Sequence, residues 1–182
     1  RTCMQVEIHG EDGTSLAPGE TGEICVTGGA VFAGYWRNPE ANAKSFRDGW
    51  FRTGDIGHMD ENGYVYITGR ASDMYISGGS NIYPREIEEK ILLHPAVTET
   101  AVFGIPDPKW GEIGVAVCVL EDGHALDGVM LDTYLRKLLS SYKLPRKYFF
   151  WEELPKTGYG KLSKRIIRAE LEERLAAGES VG

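Results

Sequence analysis

Apolar and polar positions follow two different rhythms along this chain. Over the first third they alternate. "MQVEI" (4–8) and "EICVTG" (23–28) put every second side chain on one face, the period of a half-buried strand. Turn pairs punctuate these runs at Asp12-Gly13, Pro18-Gly19, Asp48-Gly49 and Asn62-Gly63. The last pair lies between "IGHMD" and "YVYIT" and predicts a hairpin, because both residues tolerate positive φ. One helix is expected at "NPEANAKSF" (38–46), with Asn38 as its cap and Pro39 in its first turn. This part reads as a small, mostly antiparallel sheet or distorted barrel.

From about Asp73 helical periods alternate with strands. "PREIEEKILL" (84–93) starts on Pro84 and sets Ile87, Ile91 and Leu92 on one face before His94-Pro95 stops it. "LDTYLRKLLSS" (131–141) aligns Leu131, Leu135, Leu138 and Leu139. "SKRIIRAELEERLAA" (163–177) aligns Ile166, Ile167, Leu171 and Leu175. "VTETAVFGI", "GVAVCVL" and "KYFFWEE" read as strands. The expected fold is therefore α+β: a small antiparallel β-rich subdomain followed by a small α+β domain, the two meeting at "TGRASD" (68–73).

Composition narrows the classes. Of the 182 residues 42% are apolar and 26% charged, ordinary for a globular protein. No apolar run of about 18 residues exists, so no transmembrane segment is expected. The opening "RTCMQVEIHG" has no apolar run of the kind a signal peptide carries; it begins as a strand, as the interior of a longer chain would. The formal charge of −7 argues against nucleic acid as a partner. The cations nevertheless gather at "KLPRK" (143–147) and "KLSKRIIR" (161–168), either as a solvated helix face or as an anion site. Cys3, Cys25 and Cys118 lack metal or redox spacing and read as reduced, buried thiols of a cytoplasmic protein.

Four stretches carry more glycine and charge than their strands need. In "WFRTGDIG" (50–57), Asp55 just after a strand either closes a turn or accepts the hydroxyls of a vicinal diol such as a ribose. Arg70 lies where the two parts meet, within reach of a ligand held between them. Gly78 and Gly79 after Ser77 either form a plain hairpin turn or admit a ligand close to the backbone. Trp110 in "PDPKWGE", and Tyr142 beside Lys143, Arg146 and Lys147, are either half-buried packing or a surface for an adenine ring with its phosphates. In "PKTGYGKLSKR" (155–165), Gly158 and Gly160 make a mobile loop for Lys161 without forming a G-x-x-x-x-G-K-[ST] phosphate loop. Alone, Lys161 is a surface lysine before a helix or a charge reaching for a phosphate or carboxylate oxygen.

Taken together, "GEICVTGGAVFAGYW", "WFRTGDIG", "GRASDMYISGGSNIYPREIEE" and "PKTGYGKLSKR" resemble, in order and spacing, the C-terminal portion of acyl-CoA synthetases (fatty-acid and aryl-acid CoA ligases) of the adenylate-forming superfamily. The resemblance implies residues 1–69 as the last β-rich subdomain of an AMP-binding domain and 70–182 as a mobile C-terminal lid. It implies ATP with Mg2+, a small-molecule carboxylic acid and CoA as reactants. Asp55 would bind the ribose hydroxyls, Arg70 ribose and phosphate, and Lys161 would be the catalytic lysine of adenylation. Ser77, Gly78 and Gly79 would line the pantetheine path. Trp110, Tyr142, Lys143 and Arg146 would face the CoA nucleotide. Ser72 stands at the hinge position, where the family usually has Asp or Lys. No resident metal is implied. The resemblance also suggests a lysine acetyltransferase acting on Lys161, and predicts that this stretch alone has no ligase activity. Alternatives are a stand-alone CoA- or nucleotide-binding module, a structural domain with a decayed site, and an adenylating domain serving a carrier-protein thiol.

Overall fold

A computed structural model describes residues 3–158 and 160–178. The chain divides into two compact units, Arg1–Ser72 and Asp73–Gly182.

The first unit is built on one long strand. Its elements are β1 (Gln5–His9), β2 (Gly22–Thr27), helix α1 (Pro39–Ser45), β3 (Phe46–Arg47), β4 (Trp50–Met59) and β5 (Val65–Arg70). β4 is the spine of an antiparallel five-stranded sheet, pairing with β2, with β3 at its start and with β5 along its second half. Helix α1 forms where expected: the Asn38 carboxamide accepts from Ala41 N and Pro39 occupies the first turn. The buried apolar side chains of this unit are Ile8, Ile24, Cys25 and Ile56, all on the strands. The β4–β5 hairpin exists, but only Gly63 of its turn pair takes a positive φ, +84°. The Asp60 carboxylate supplies the rest of the turn by accepting from Asn62 N and Tyr64 N, both at 2.9 Å. Those bonds hold its pKa below the ordinary value, Tyr64's most of all.

In the second unit come β6 (Tyr75–Ser77), β7 (Ser80–Ile82), α2 (Pro84–Ile91), β8 (Val97–Asp107), β9 (Gly111–Leu120), α3 (Gly128–Leu135), β10 (Lys147–Trp151) and α4 (Lys164–Ala176). The sheet runs β10-β9-β6-β7, with β8 also paired to β9. All pairings are antiparallel except β10 with β9. Strict alternation sends the two faces of this sheet into two cores. Val102, Ala116, Cys118 and Tyr148 pack with Ile87, Ile91, Leu131 and Leu135 of α2 and α3. Their neighbours Ala101, Phe103, Val115, Val117, Phe149 and Trp151 pack with Ile167 and Leu171 of α4. The sheet is thus covered by helix on both sides, which accounts for strands that read as nearly continuous apolar runs.

The helical stripes are shorter than their sequence patterns. Leu92 caps α2 and is exposed, Leu138 lies beyond the end of α3, and Ile166 turns outward beside the fully buried Ile167. Each helix faces its sheet through about one residue per turn, so the second apolar residue of an adjacent pair is left outside. The expectation of three buried thiols also needs correction. Cys25 and Cys118 are buried, whereas Cys3 precedes β1 and is exposed.

Candidate functional site

The candidate residues fall into three groups. Asp55 and Arg70 belong to the first unit. Asp55 is not after a strand, as expected, but inside β4, directly opposite Arg70 on β5. Its carboxylate accepts from Arg70 Nε at 3.1 Å. Cross-strand pairing places the two side chains together without a loop. Asp55 is half-buried and Arg70 exposed, so the pair presents a carboxylate with its partner guanidinium open to solvent beside it. Two acceptor oxygens next to a cation suit a diol carrying a nearby phosphate.

A second group surrounds the hairpin of β6 and β7. Gly78 and Gly79 form its two-residue turn with φ of +57° and +81°. Both are left-handed, the requirement of the tight hairpin that glycine meets without strain. Gly78 has a further constraint: a Cβ there would lie 2.8 Å from Trp110 Cε3. The Trp110 carbonyl accepts from Gly78 N at 2.9 Å. Trp110 itself is fixed by the β8–β9 turn, where Asp107 Oδ1 accepts from Lys109 N and Trp110 N at 2.9 Å each. The ring carries Arg146 Cζ 4.3 Å from its centroid and Lys109 Nζ at 5.1 Å.

Trp110, Tyr142 and Arg146 line one groove of about 720 Å³ together with Val129 and Asp132 of α3 and Arg136 at its end. Asp132 is spent within that lining: it accepts from Arg136 Nε at 2.5 Å and from Tyr148 Oη at 3.3 Å. Burial, then the Asp132 charge, pushes the Tyr148 phenol above its ordinary value. Arg146 therefore faces an aromatic groove whose one lining carboxylate, Asp132, is already paired with Arg136. Such a groove can stack a base and hold phosphate. Lys143 is engaged elsewhere, its ammonium gripped by Glu86 at 2.7 and 2.8 Å. Burial alone would lower its pKa, but the Glu86 hydrogen bond and charge carry it above the ordinary value.

Lys161 forms the third group. It is exposed on a short closed turn. Thr157 N donates to Lys161 O at 2.8 Å, Lys161 N donates to Thr157 Oγ1 at 3.3 Å, and Gly160 N donates to Thr157 O at 2.8 Å. Gly160 takes a φ of +74°, and Lys156 bridges Leu162 below the turn. Ser72 sits in a single 3₁₀ turn, Ala71–Asp73.

Sequence reasoning missed Asp132, Arg136 and Glu86. The first two stand four apart in "DTYLR", a spacing that predicts an ion pair on one helix face. Glu86 and Lys143 lie 57 residues apart, and no local signal joins them. Among the described residues no cluster of three His, Cys, Asp or Glu could hold a metal ion.

Residues 86–161 match the AMP-binding enzyme C-terminal domain family. A feruloyl-CoA synthase of Amycolatopsis is 47% identical over 163 residues, 90% of this chain and 33% of that protein. The long-chain-fatty-acid–CoA ligase of Bacillus subtilis is 48% identical over 163 residues, 89% of this chain and 29% of the ligase. Among solved structures, ATP-bound MatB from Rhodopseudomonas palustris superposes with a TM-score of 0.86 at 40% identity, covering 94% of this chain and 34% of MatB. Residues 86–161 therefore belong to the AMP-binding enzyme C-terminal domain family, and the chain spans about a third of the length of the curated relatives it matches.

Proposed function

We propose that this chain is the C-terminal portion of an ATP-dependent acyl-CoA synthetase, which activates a carboxylic acid as acyl-AMP and passes the acyl group to CoA. The observation that carries the reading is the exposed Lys161, held at the backbone by a closed turn. Adenylation joins a carboxylate to the α-phosphorus of ATP and expels pyrophosphate. Negative charge gathers on the phosphoryl oxygens as the carboxylate approaches, and one positioned cation stabilises that state. Lys161 is that cation in this reading. Asp55 accepts from the ribose hydroxyls and Arg70 donates to the ribose–phosphate side, consistent with the Asp55–Arg70 pair.

Thioester formation needs no second cation at phosphorus. The CoA sulfur attacks the acyl carbonyl, the C–O bond to AMP breaks, and the thiol proton leaves to solvent. The Ser77–Gly79 hairpin would border the pantetheine arm, with Ser72 as the hinge between adenylating and thiol-accepting arrangements. The groove of Trp110, Tyr142 and Arg146 would take the nucleotide of CoA. Lys143 would have to leave Glu86 to join it. Because Arg146 already covers Trp110, the base stacks on the guanidinium or on Tyr142 rather than on the bare indole. Mg2+ belongs to the ATP it accompanies, and no step is assigned to a metal held by these residues.

In the full-length ligase, Lys161→Ala should abolish acid-dependent ATP–pyrophosphate exchange, and retained exchange would refute the reading. Trp110→Ala should raise the KM for CoA while leaving exchange intact. Acetylation of Lys161 by a lysine acetyltransferase would remove the same charge and silence adenylation. The described residues contain no helix long and apolar enough to cross a membrane, and the cytoplasm, where ATP and CoA are available, is the proposed location.

A further inference from the structure

Two other lysines flank the Lys161 turn, and both are tied down. On the entering side, Lys156 Nζ lies 2.5 Å from Glu99 Oε1 on β8. On the leaving side, Lys164 Nζ lies 2.8 Å from Glu88 Oε1 on α2 and 3.6 Å from Asp73 Oδ2 at the start of the second unit. The same Glu88 oxygen accepts from Val102 N of β8 at 2.8 Å. One carboxylate thus locks a strand backbone to the first residue of α4, three residues after Lys161.

The location of Lys164 is informative. It is the first residue of α4, where the helix dipole disfavours a cation. The N-cap, Ser163, makes no side-chain capping bond. The helix start is therefore held by the Lys164 ion pairs in place of a cap. These pairs are more sheltered than ordinary surface bridges: the side chains of Lys164 and Glu88 are 26% and 17% exposed. The Lys156–Glu99 pair is more open, at 45% and 31%, and holds less tightly.

We infer that Lys164, seated on Glu88 and Asp73, is a positioning residue that fixes the reach of Lys161, with Lys156 on Glu99 as the weaker second anchor. The inference rests on the reading of Lys161 as the adenylation cation. A turn with one end loose places the Lys161 ammonium over a wider range, and a shift of about 1 Å costs up to about 100-fold in a positioned step. Thiol attack on a finished acyl-adenylate uses no Lys161 charge, so it is spared.

The test uses the full-length ligase with Lys164→Met, which keeps the apolar stem and helix propensity and removes the charge. Acid-dependent ATP–pyrophosphate exchange should fall about 10- to 100-fold in kcat, with KM for ATP and acid moved less than about twofold, because ground-state binding does not depend on the Lys161 position. Conversion of supplied acyl-adenylate by CoA should run at the wild-type rate. Lys164→Arg should restore exchange. If Lys164→Met does not fold, Glu88→Gln is read on the same two half-reactions, since its amide oxygen still accepts from Val102 N. Wild-type exchange in the folded variant, or an equal fall of both half-reactions without rescue by Arg, overturns the inference. Lys161→Ala run in parallel separates the two ideas. If it retains exchange, the reading of Lys161 fails; if it is dead while Lys164→Met is wild-type, only the positioning role fails.

Discussion

The two units solve the burial problem differently. The second unit covers both faces of its sheet and closes two cores around β8, β9 and β10. The first unit rests on Ile8, Ile24, Cys25 and Ile56, while Val65, Tyr66 and Ile67 on β5, with Tyr64 just before it and Phe32, Tyr35 and Trp36, stay in contact with solvent. The apolar content of β5 is no lower than that of β8; what differs is the presence of helices to cover it. A sheet with an uncovered aromatic strand is incomplete as a folding unit. The groove and the Lys161 turn lie on the complete unit, whereas the Asp55–Arg70 pair lies on the incomplete one.

Separating the units puts the strongest strain on this contrast. Residues 73–178 expressed alone should melt in one cooperative transition by calorimetry. Residues 3–72 alone should show no cooperative transition and should bind a dye that reports exposed apolar surface. A cooperative melt of the shorter piece would mean that its few buried residues suffice.

Point substitutions should repeat the contrast on a smaller scale. Leu131→Ala empties a fully buried position between α3 and the sheet and should cost about 2–5 kcal/mol in denaturant unfolding. Ile67→Ala on β5 should stay within about 0.5 kcal/mol, because that side chain is already half in water. Equal losses at the two positions would show that β5 is buried in solution.

This is also where the sequence was most and least informative. Period-two alternation and the Asn38-Pro39 and Pro84 signals located strands and helix starts, because those depend on neighbours in the chain. Which of Ile166 and Ile167 faces inward depends on where the helix meets the sheet, and whether Leu138 or Leu139 is buried depends on the chain's path after α3 ends; no local pattern carries either. The candidate site divides the same way. Gly78 and Gly79 were legible as a turn. Trp110 pressed against Gly78, Arg146 lying over Trp110, and Glu86 holding Lys143 are all products of tertiary packing. Lys164 sat in plain view in "KLSKR", but its partners Asp73 and Glu88 come from distant segments.

Each unit contains a buried thiol, which gives a matched pair of probes. Burial pushes Cys118 up to about 11, opposed by the Thr100 hydrogen bond. Burial and then the Glu23 charge bring Cys25 up to about 11, opposed by Arg52 and Arg47. The protonated form is the one that folding favours, so this stabilisation is intact below the ordinary pKa of 9.0 and is lost as pH rises through about 11. At pH 8, alkylation followed by mass spectrometry should label the exposed Cys3 at once. Cys25 should follow through opening of the thinner unit, and Cys118 last, at least about tenfold slower than Cys25. Labelling of Cys118 before Cys25 would reverse the order of stability assigned to the units.

The smallest effect concerns a flaw in the better-packed unit. Tyr75 on β6 is almost fully buried, and its hydroxyl has no hydrogen-bond partner among the described residues. Burial, then the Glu112 charge, pushes that phenol above its ordinary value. The ring is accommodated by two glycines. A Cβ at Gly104 would lie 2.5 Å from Tyr75 Cβ, and one at Gly114 would collide with the Tyr75 hydroxyl. Dense packing here therefore coexists with an unpaired polar atom, which costs about 1–3 kcal/mol when nothing replaces its lost water. Tyr75→Phe removes the oxygen and keeps the ring, and should stabilise the second unit by about 1 kcal/mol in denaturant unfolding. A loss of stability instead would mean that the hydroxyl is satisfied in solution, by an internal water beside Gly114. Gly114→Ala should cost more in the wild-type background than beside Tyr75→Phe, because the added methyl meets the hydroxyl that Phe lacks.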